Sequence, residues 1–315
     1  MTVWTNVLLD EANEWLAERD LGRATAIFPI EEGSEDSVFR LDREDGSSAF
    51  LRLFERMDAE GPLSIAVRLA GYGLPTCPPI EDLQKRVFVK LKGKPASLFP
   101  WIEGAWEPKP SLRQIEEIGV FLGRMGRDGP AHCVDWKCEN PRGWQWFEET
   151  TLSVAPFLDK ETRRLILEEM VTQKAFWLGP EAARIPRGPV HADLFRNNVM
   201  FGPDGSLAAV IDWVFCASDW PLIYDLAIVA NDWCLKDNAY ALEPRRLEAL
   251  LRGREQALPL NAAEIKAWPV ALRLAALRFS LSRFYDYYLP RAPDGKKLDP
   301  DHFPAILRKR KKLKR

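Results

Sequence analysis

Between Val190 and Trp213 the chain reads VHADLFRNNVMFGPDGSLAAVIDW. His191, Asp193 and Asn198 form an H-x-D-x-x-x-x-N spacing, and Asp212 follows fourteen residues after Asn198. The run Gly202-Pro203-Asp204-Gly205-Ser206 between NVMF and LAAVID is a turn signal. A hairpin there carries Asn198 at its start and Asp212 at its end, and closes both on Asp193, which lies on the loop after a short strand ending at Val190. Such a cluster can place one carboxylate against a substrate hydroxyl while the other carboxylate and the amide oxygen hold magnesium, a hard cation that shares its oxygen ligands with phosphates. That layout suits phosphoryl transfer, where positioning and charge neutralisation supply most of the catalysis. Taken singly, an Asp is most often surface charge, an Asn a turn residue and a His a packing or hydrogen-bonding group. The combined spacing and its hairpin context carry the chemical reading.

The flanking sequence supplies a scaffold of two kinds. Leu8, Ala12, Trp15 and Leu16 share one helical face, and TAIFPI, SVFRLD and AFLRLF follow as short strand-like runs separated by EEGSED and REDGSS. A helix is expected over Leu63 to Ala70, then a hairpin of RVFVKL and ASLFPWIEG around Lys92-Gly93-Lys94-Pro95. After Ser111, a plausible cap, the spacing becomes helical: Ile115, Ile118, Leu122 and Met125, then Lys160 to Trp177, Leu222 to Leu235, Pro244 to Gln256 and Val270 to Leu289. The expected fold is α+β, with a small antiparallel-sheet lobe over residues 1–101 meeting a larger, mainly helical lobe over 102–315 near Trp101 to Gly104. A ligand is expected in the cleft between them.

The 315 residues, 46% hydrophobic, 11% aromatic and 29% charged, suffice for two apolar cores and match a soluble globular chain. MTVWTNVLLDEANEWL lacks the pattern of a signal peptide and no apolar run reaches the roughly 20 residues that span a bilayer, so the expectation is a cytoplasmic protein with no membrane partner. The odd number of widely spaced cysteines, five, points to reduced thiols rather than a disulfide framework or a zinc site. The net charge of −2 conceals an asymmetry, because RKRKKLKR at the end carries seven basic residues and leaves the rest of the chain acidic. That end reads as a solvated helix terminus, and no nucleic-acid partner is expected.

The Val190–Trp213 stretch resembles the catalytic loop and metal-binding aspartate of the aminoglycoside phosphotransferase and choline kinase group, relatives of the protein kinases. VHADLFRNNVMF, YDLAIVANDWC, GKPASLFPWIEG, ALRFSLSRFYDYYLPRA and DPDHFPAILRKR are similar to the homoserine kinases of that group. The resemblance spans nearly the whole chain. It implies a two-lobed protein kinase-like fold, ATP with Mg2+ as cofactors, and a small-molecule substrate, L-homoserine, phosphorylated on its side-chain hydroxyl toward threonine. The alternatives are a kinase of another small hydroxyl compound, such as an aminoglycoside, choline or amino alcohol, and a pseudokinase that only binds nucleotide.

By the same resemblance Asp193 is the catalytic base or hydroxyl-orienting group, His191 braces the loop, and Asn198 and Asp212 are the metal ligands. EEGSED stands where the family covers the phosphates, so Gly33, Ser34 and Ser37 are candidate phosphate donors. Pro100, Trp101 and Ile102 at the junction are candidate nucleotide contacts. Arg52 stands near the position of the family's phosphate-binding lysine, on one strand face with Phe50 and Phe54; the competing reading is an edge-strand surface arginine. No acidic partner for it is evident in LSIAVRLAGYG, and Glu60 is a poorly placed substitute. Asp225 is expected to cap its helix or brace the catalytic loop. Trp233, Arg278, Arg283 and Asp286 are substrate-pocket candidates, because an amino acid needs a cation for its carboxylate and an acid for its ammonium. Arg283 and Asp286, three apart on a helix, can also simply pair with each other.

Overall fold

The structure is a computed structural model that describes residues 4–30, 36–56, 59–237, 239–289 and 298–313. Helix α1 (Leu9–Ala17) is followed by strands β1 (Ala24–Pro29), β2 (Ser37–Arg43) and β3 (Ser48–Leu53), helix α2 (Glu60–Gly71), and strands β4 (Val89–Leu91) and β5 (Lys94–Pro100). The strands form one antiparallel sheet in the order β1-β2-β3-β5-β4. Alternation explains its two faces: Ala49, Leu51 and Leu53 of β3 point into a core shared with Trp15 and Leu16 of α1, while Phe50 and Arg52 point the other way. The β4–β5 turn is tighter than expected, because Leu91 pairs with Lys94 and only Lys92 and Gly93, both at positive φ (51° and 77°), lie between them.

The larger part contains α3 (Leu112–Cys133), α4 (Trp144–Val154), α5 (Lys160–Trp177), β6 (Arg187–Val190), β7 (Val199–Phe201), β8 (Leu207–Val210), β9 (Ala217–Pro221), α6 (Ile223–Trp233), α7 (Pro244–Ala257), α8 (Ala262–Tyr288) and α9 (His302–Arg310). Ser111 caps α3 by accepting from the Gln114 N–H. Helix α8 begins eight residues earlier than expected. Asn261 and Glu264 form a reciprocal capping box, and the helix runs on through Pro269. Helix α4 was not anticipated. Helices α3 and α7 meet at Gly119 and Gly253, where a Cβ would strike the backbone of the opposite helix.

Apolar packing does not divide at residue 101. Phe54, Phe99 and the α2 residues Leu63, Ile65, Ala66 and Leu69 belong to the core of the larger part, and α2 packs on α3 and on the turn Trp213–Phe215. The parts are stitched together further on. Cys77 N–H donates to the Val210 carbonyl and Val210 N–H to that of Pro75, while Ala105 and Phe201 exchange both backbone hydrogen bonds. The β7–β8 hairpin is thus held on both edges, on one by the segment between α2 and β4 and on the other by the chain that follows β5. Gly104 is required there, because a Cβ would fall on the Phe201 carbonyl.

The basic end is less solvated than expected. Arg310 of α9 is 1% exposed, donating to Asn231 Oδ1 and the Tyr240 carbonyl, and Arg308 pairs with Glu161 of α5.

Candidate active site

The hairpin closes as the turn signal requires. Gly202 N–H donates to the Ser206 carbonyl, Gly205 takes a positive φ of 77°, and Val199 pairs with Val210. Asn198 precedes β7 and Asp212 follows β8, neither within a strand, and β6 pairs with β9 instead of the hairpin. Asp193 lies between β6 and β7. The Asn198 amide nitrogen donates to the Asp193 carbonyl at 2.7 Å and to its Oδ2 at 3.2 Å, so the amide oxygen is turned to the other side.

His191 ties the two ends of the motif together. Its Nε2–H donates to the Ile211 carbonyl, next to Asp212, at 2.8 Å, and its Nδ1 accepts from the Asp193 N–H at 3.2 Å. It is fully buried, with its ring against Trp213, and burial pushes it down to about 4. The imidazole is therefore a neutral brace. Asp225, also fully buried, receives the N–H groups of His191 and Ala192 at 2.6 and 2.8 Å. Of its two expected roles it fills the second, bracing the loop, and makes no cap hydrogen bond for α6. Its grip fixes Ala192 at φ 61°, a conformation a non-glycine residue holds only when its surroundings over-determine it. Burial raises Asp225 to about 7 against the pull of those two N–H groups.

Asp212 also lies in the left-handed region (φ 62°), where aspartate is tolerated. Its Oδ1 meets Arg52 Nη1 at 2.8 Å, while Arg52 Nε and Nη2 reach Asp36 Oδ2 at 2.7 and 2.6 Å. Arg52 is 14% exposed and lies on a central strand, which overturns the reading of an edge-strand surface arginine. Burial opposes its charge, yet the carboxylates of Asp212 and Asp36 hold its pKa above the ordinary value. The acidic partner missing from α2 is supplied by Asp36, just before β2. Asp36 was not singled out in the sequence, where EEGSED and the residue after it offered only Gly33, Ser34 and Ser37 as signals.

Gly33 and Ser34 lie outside the described residues. Ser37 is corrected: it is fully buried, donates its hydroxyl to Glu55 Oε1 at 2.7 Å and accepts the N–H groups of Trp4 and Thr5 at 2.9 Å, so its bonding capacity serves the fold. At the junction Pro100 ends β5 with its carbonyl 3.8 Å from Cys77 Sγ, Ile102 is half-buried, and the exposed Trp101 ring lies 5.2 Å from the Arg40 guanidinium.

On the opposite side of Asp193, Arg278 of α8 is 3% exposed and its Nη2 is 3.2 Å from Asp193 Oδ1. Arg283 lies further along α8. Burial lowers its pKa, against the pull of the Asp286 carboxylate and then that of Asp193. Trp233 is corrected to a buried support of the loop: it is 1% exposed, and its indole N–H donates to the Leu194 carbonyl at 3.3 Å.

The chemistry of these groups is that of two carboxylates and an amide, one carboxylate beside an arginine of each part. Residues 27–265 match the model of the phosphotransferase enzyme family. The chain belongs to that family. Among the relatives of this phosphotransferase, the homoserine kinase of Cupriavidus metallidurans is 36% identical, over 98% of this chain and 97% of its own length. That of Janthinobacterium sp. (strain Marseille) is 37% identical, over 98% and 96%. Similar solved structures include an amicoumacin kinase in complex with AMP-PNP, Ca2+ and Ami (TM-score 0.69, 16% identity, 96% of this chain and 93% of that one) and the choline kinase of Streptococcus pneumoniae (TM-score 0.62, 13% identity, 96% and 97%). At those identities the likeness shows the phosphotransferase's fold. That fold is the kinase-like α+β arrangement expected from the sequence. Among the described residues no helix is long and apolar enough to cross a membrane.

Proposed function

We propose that this phosphotransferase moves the γ-phosphoryl group of ATP to the side-chain hydroxyl of L-homoserine, giving O-phosphohomoserine, and does so in the cytoplasm. The observation that carries the reading is the convergence of Asp193, Asn198 and Asp212 on one braced hairpin, with Arg52 of the small sheet reaching Asp212 and Arg278 reaching Asp193. The curated relatives that bear the name homoserine kinase match along almost the full length, substrate side included.

In this account Asp193 orients the acceptor hydroxyl and takes its proton as the oxygen attacks the γ-phosphorus and ADP departs. The Asn198 amide holds Asp193 in place through its nitrogen. His191 and Asp225 do not touch substrate; they fix the backbone of the loop. Residues 1–101 act as the ATP-binding lobe and 102–315 as the catalytic and acceptor-binding lobe, with Pro100, Trp101 and Ile102 beside the nucleotide base and the Gly33-Ser34 loop over the phosphates. Arg52 presents its guanidinium to the phosphates from the pair with Asp212.

The donor set fits Mg2+: the Asp212 carboxylate and the Asn198 amide oxygen are hard oxygen ligands, and the amide nitrogen is already committed to Asp193. When bound, the ion would neutralise phosphate charge. A panel of acceptors tests the reading, with kcat/KM measured for L-homoserine, L-serine, choline and an aminoglycoside at saturating ATP and magnesium. L-homoserine should lead by at least about tenfold. A higher value for choline or the aminoglycoside overturns the acceptor, and no turnover with any of them overturns the kinase assignment.

A further inference from the structure

Two consecutive residues of α8 grip the loop that carries Asp193. Phe279 packs edge-on against Phe195, with ring centres 4.3 Å apart, and the Phe195 N–H donates to the Asp193 carbonyl at 2.8 Å. Arg278 brings its Nη2 to 3.2 Å from Asp193 Oδ1. Its guanidinium rests against two rings, with Cζ 4.0 Å from the centre of Phe279 and 5.1 Å from that of Phe215, on the turn that follows Asp212. Asn198 holds the other oxygen, Oδ2, from within the loop. The reacting carboxylate is thus met at one oxygen by its own loop and at the other by a helix remote in sequence.

A guanidinium so placed is a poor receptor for a ligand. Arg278 is 3% exposed, and its Nε and Nη2 are buried with no hydrogen bond among the described residues, so that edge is closed to an incoming carboxylate. A buried cation is held where an opposite charge answers it, and here that charge is Asp193. We propose that Arg278 is the positioning residue of Asp193, and not the receptor for the acceptor's carboxylate that its residue type suggests. It locks the direction of Oδ1 and offsets the repulsion between the Asp193 carboxylate and the incoming phosphates. This rests on the kinase reading above and adds the residue that aligns its base. Phosphoryl transfer leaves the protein little covalent chemistry, so alignment carries the rate, and a misplacement of about 1 Å costs on the order of 10²-fold.

The test places Arg278→Met and Arg278→Lys in the wild type and in Asp193→Asn, with L-homoserine and with 3-aminopropan-1-ol, which differs from it only by lacking the carboxylate. In Arg278→Met kcat should fall on the order of 10²-fold for both acceptors, while KM for ATP and for each acceptor moves by less than about threefold. The lysine variant keeps the charge and loses the planar contact with Phe279, so its kcat should fall by only about tenfold. On the Asp193→Asn background the methionine substitution should cost less than about threefold, because the group it positions is already gone. The lysine variant carries the same comparison if the methionine variant does not fold. An equal loss on both backgrounds, a near-normal kcat, or a KM that rises for L-homoserine and not for 3-aminopropan-1-ol overturns the role of Arg278. A wild type that phosphorylates neither acceptor overturns the kinase reading itself, a result readily told apart from the others.

Discussion

Arg52→Ala should destabilise the protein in a manner that depends on pH. The arginine joins Asp36, 8% exposed in its side chain, to Asp212, 31% exposed. Burial already raises the Asp36 pKa, and Arg52 is the largest influence holding it down, while the Asp212 charge pushes it further up. In the variant Asp36 keeps the Glu55 N–H at 3.0 Å but loses its cation. Leaving a buried charge without its partner costs about 3–5 kcal/mol. A carboxylate can escape part of that by taking up a proton. Because its folded-state pKa then stands further above the unfolded one, the contribution is intact below the unfolded carboxylate range and is lost as pH rises through the folded pKa. The difference from the wild type should therefore be about 3 kcal/mol at pH 8 and about 1 kcal/mol at pH 5. Urea unfolding at the two pH values measures it. Adding Asp36→Asn to Arg52→Ala should recover most of the loss at pH 8, since no stranded charge remains. Equal destabilisation at both pH values, or no recovery in the double variant, would refute the reasoning.

Other outcomes follow from the same contacts. Asp193→Asn should lower kcat by roughly 10²-fold or more with little change in ATP binding, read by steady-state kinetics and calorimetry; near-normal kcat contradicts its role. Gly104→Ala should cost about 1–3 kcal/mol in thermal unfolding, because the new methyl group falls on the Phe201 carbonyl; an unchanged Tm contradicts that close approach. Asp225, raised to about 7, contributes stability that is present below the unfolded value near 3.8 and is lost as pH rises through 7. Asp225→Asn removes that slope, so its stability relative to wild type should climb between pH 4 and 7 by on the order of 4 kcal/mol. A pH-independent difference would show that the two N–H donors outweigh burial.

What the sequence made legible was local. The β7–β8 turn, the cap at Ser111, and most helices are signalled within a few residues by glycine, proline, a cap or a 3.6-residue period. The pairing of β6 with β9 spans some thirty residues and left no such mark. The same divide runs through the site. Asp193, Asn198 and Asp212 sit in a pattern that declares itself, and the family resemblance pointed to Arg52, but Asp36 is meaningful only because β2 and β3 pair Val38 with Arg52 and bring it alongside. Ser37 and Trp233 have residue types that suit a ligand, and only burial reveals that their polar atoms are committed to backbone or to Glu55.

The most direct test of the central claim is product identification. ATP, Mg2+ and L-homoserine incubated with the protein should yield O-phosphohomoserine and ADP in equal amounts, seen by phosphorus NMR and mass spectrometry, and the same mixture with Asp193→Asn should yield at least about 10²-fold less per unit time. Release of inorganic phosphate without a phosphorylated amino acid, or equal product from the two proteins, would contradict the account.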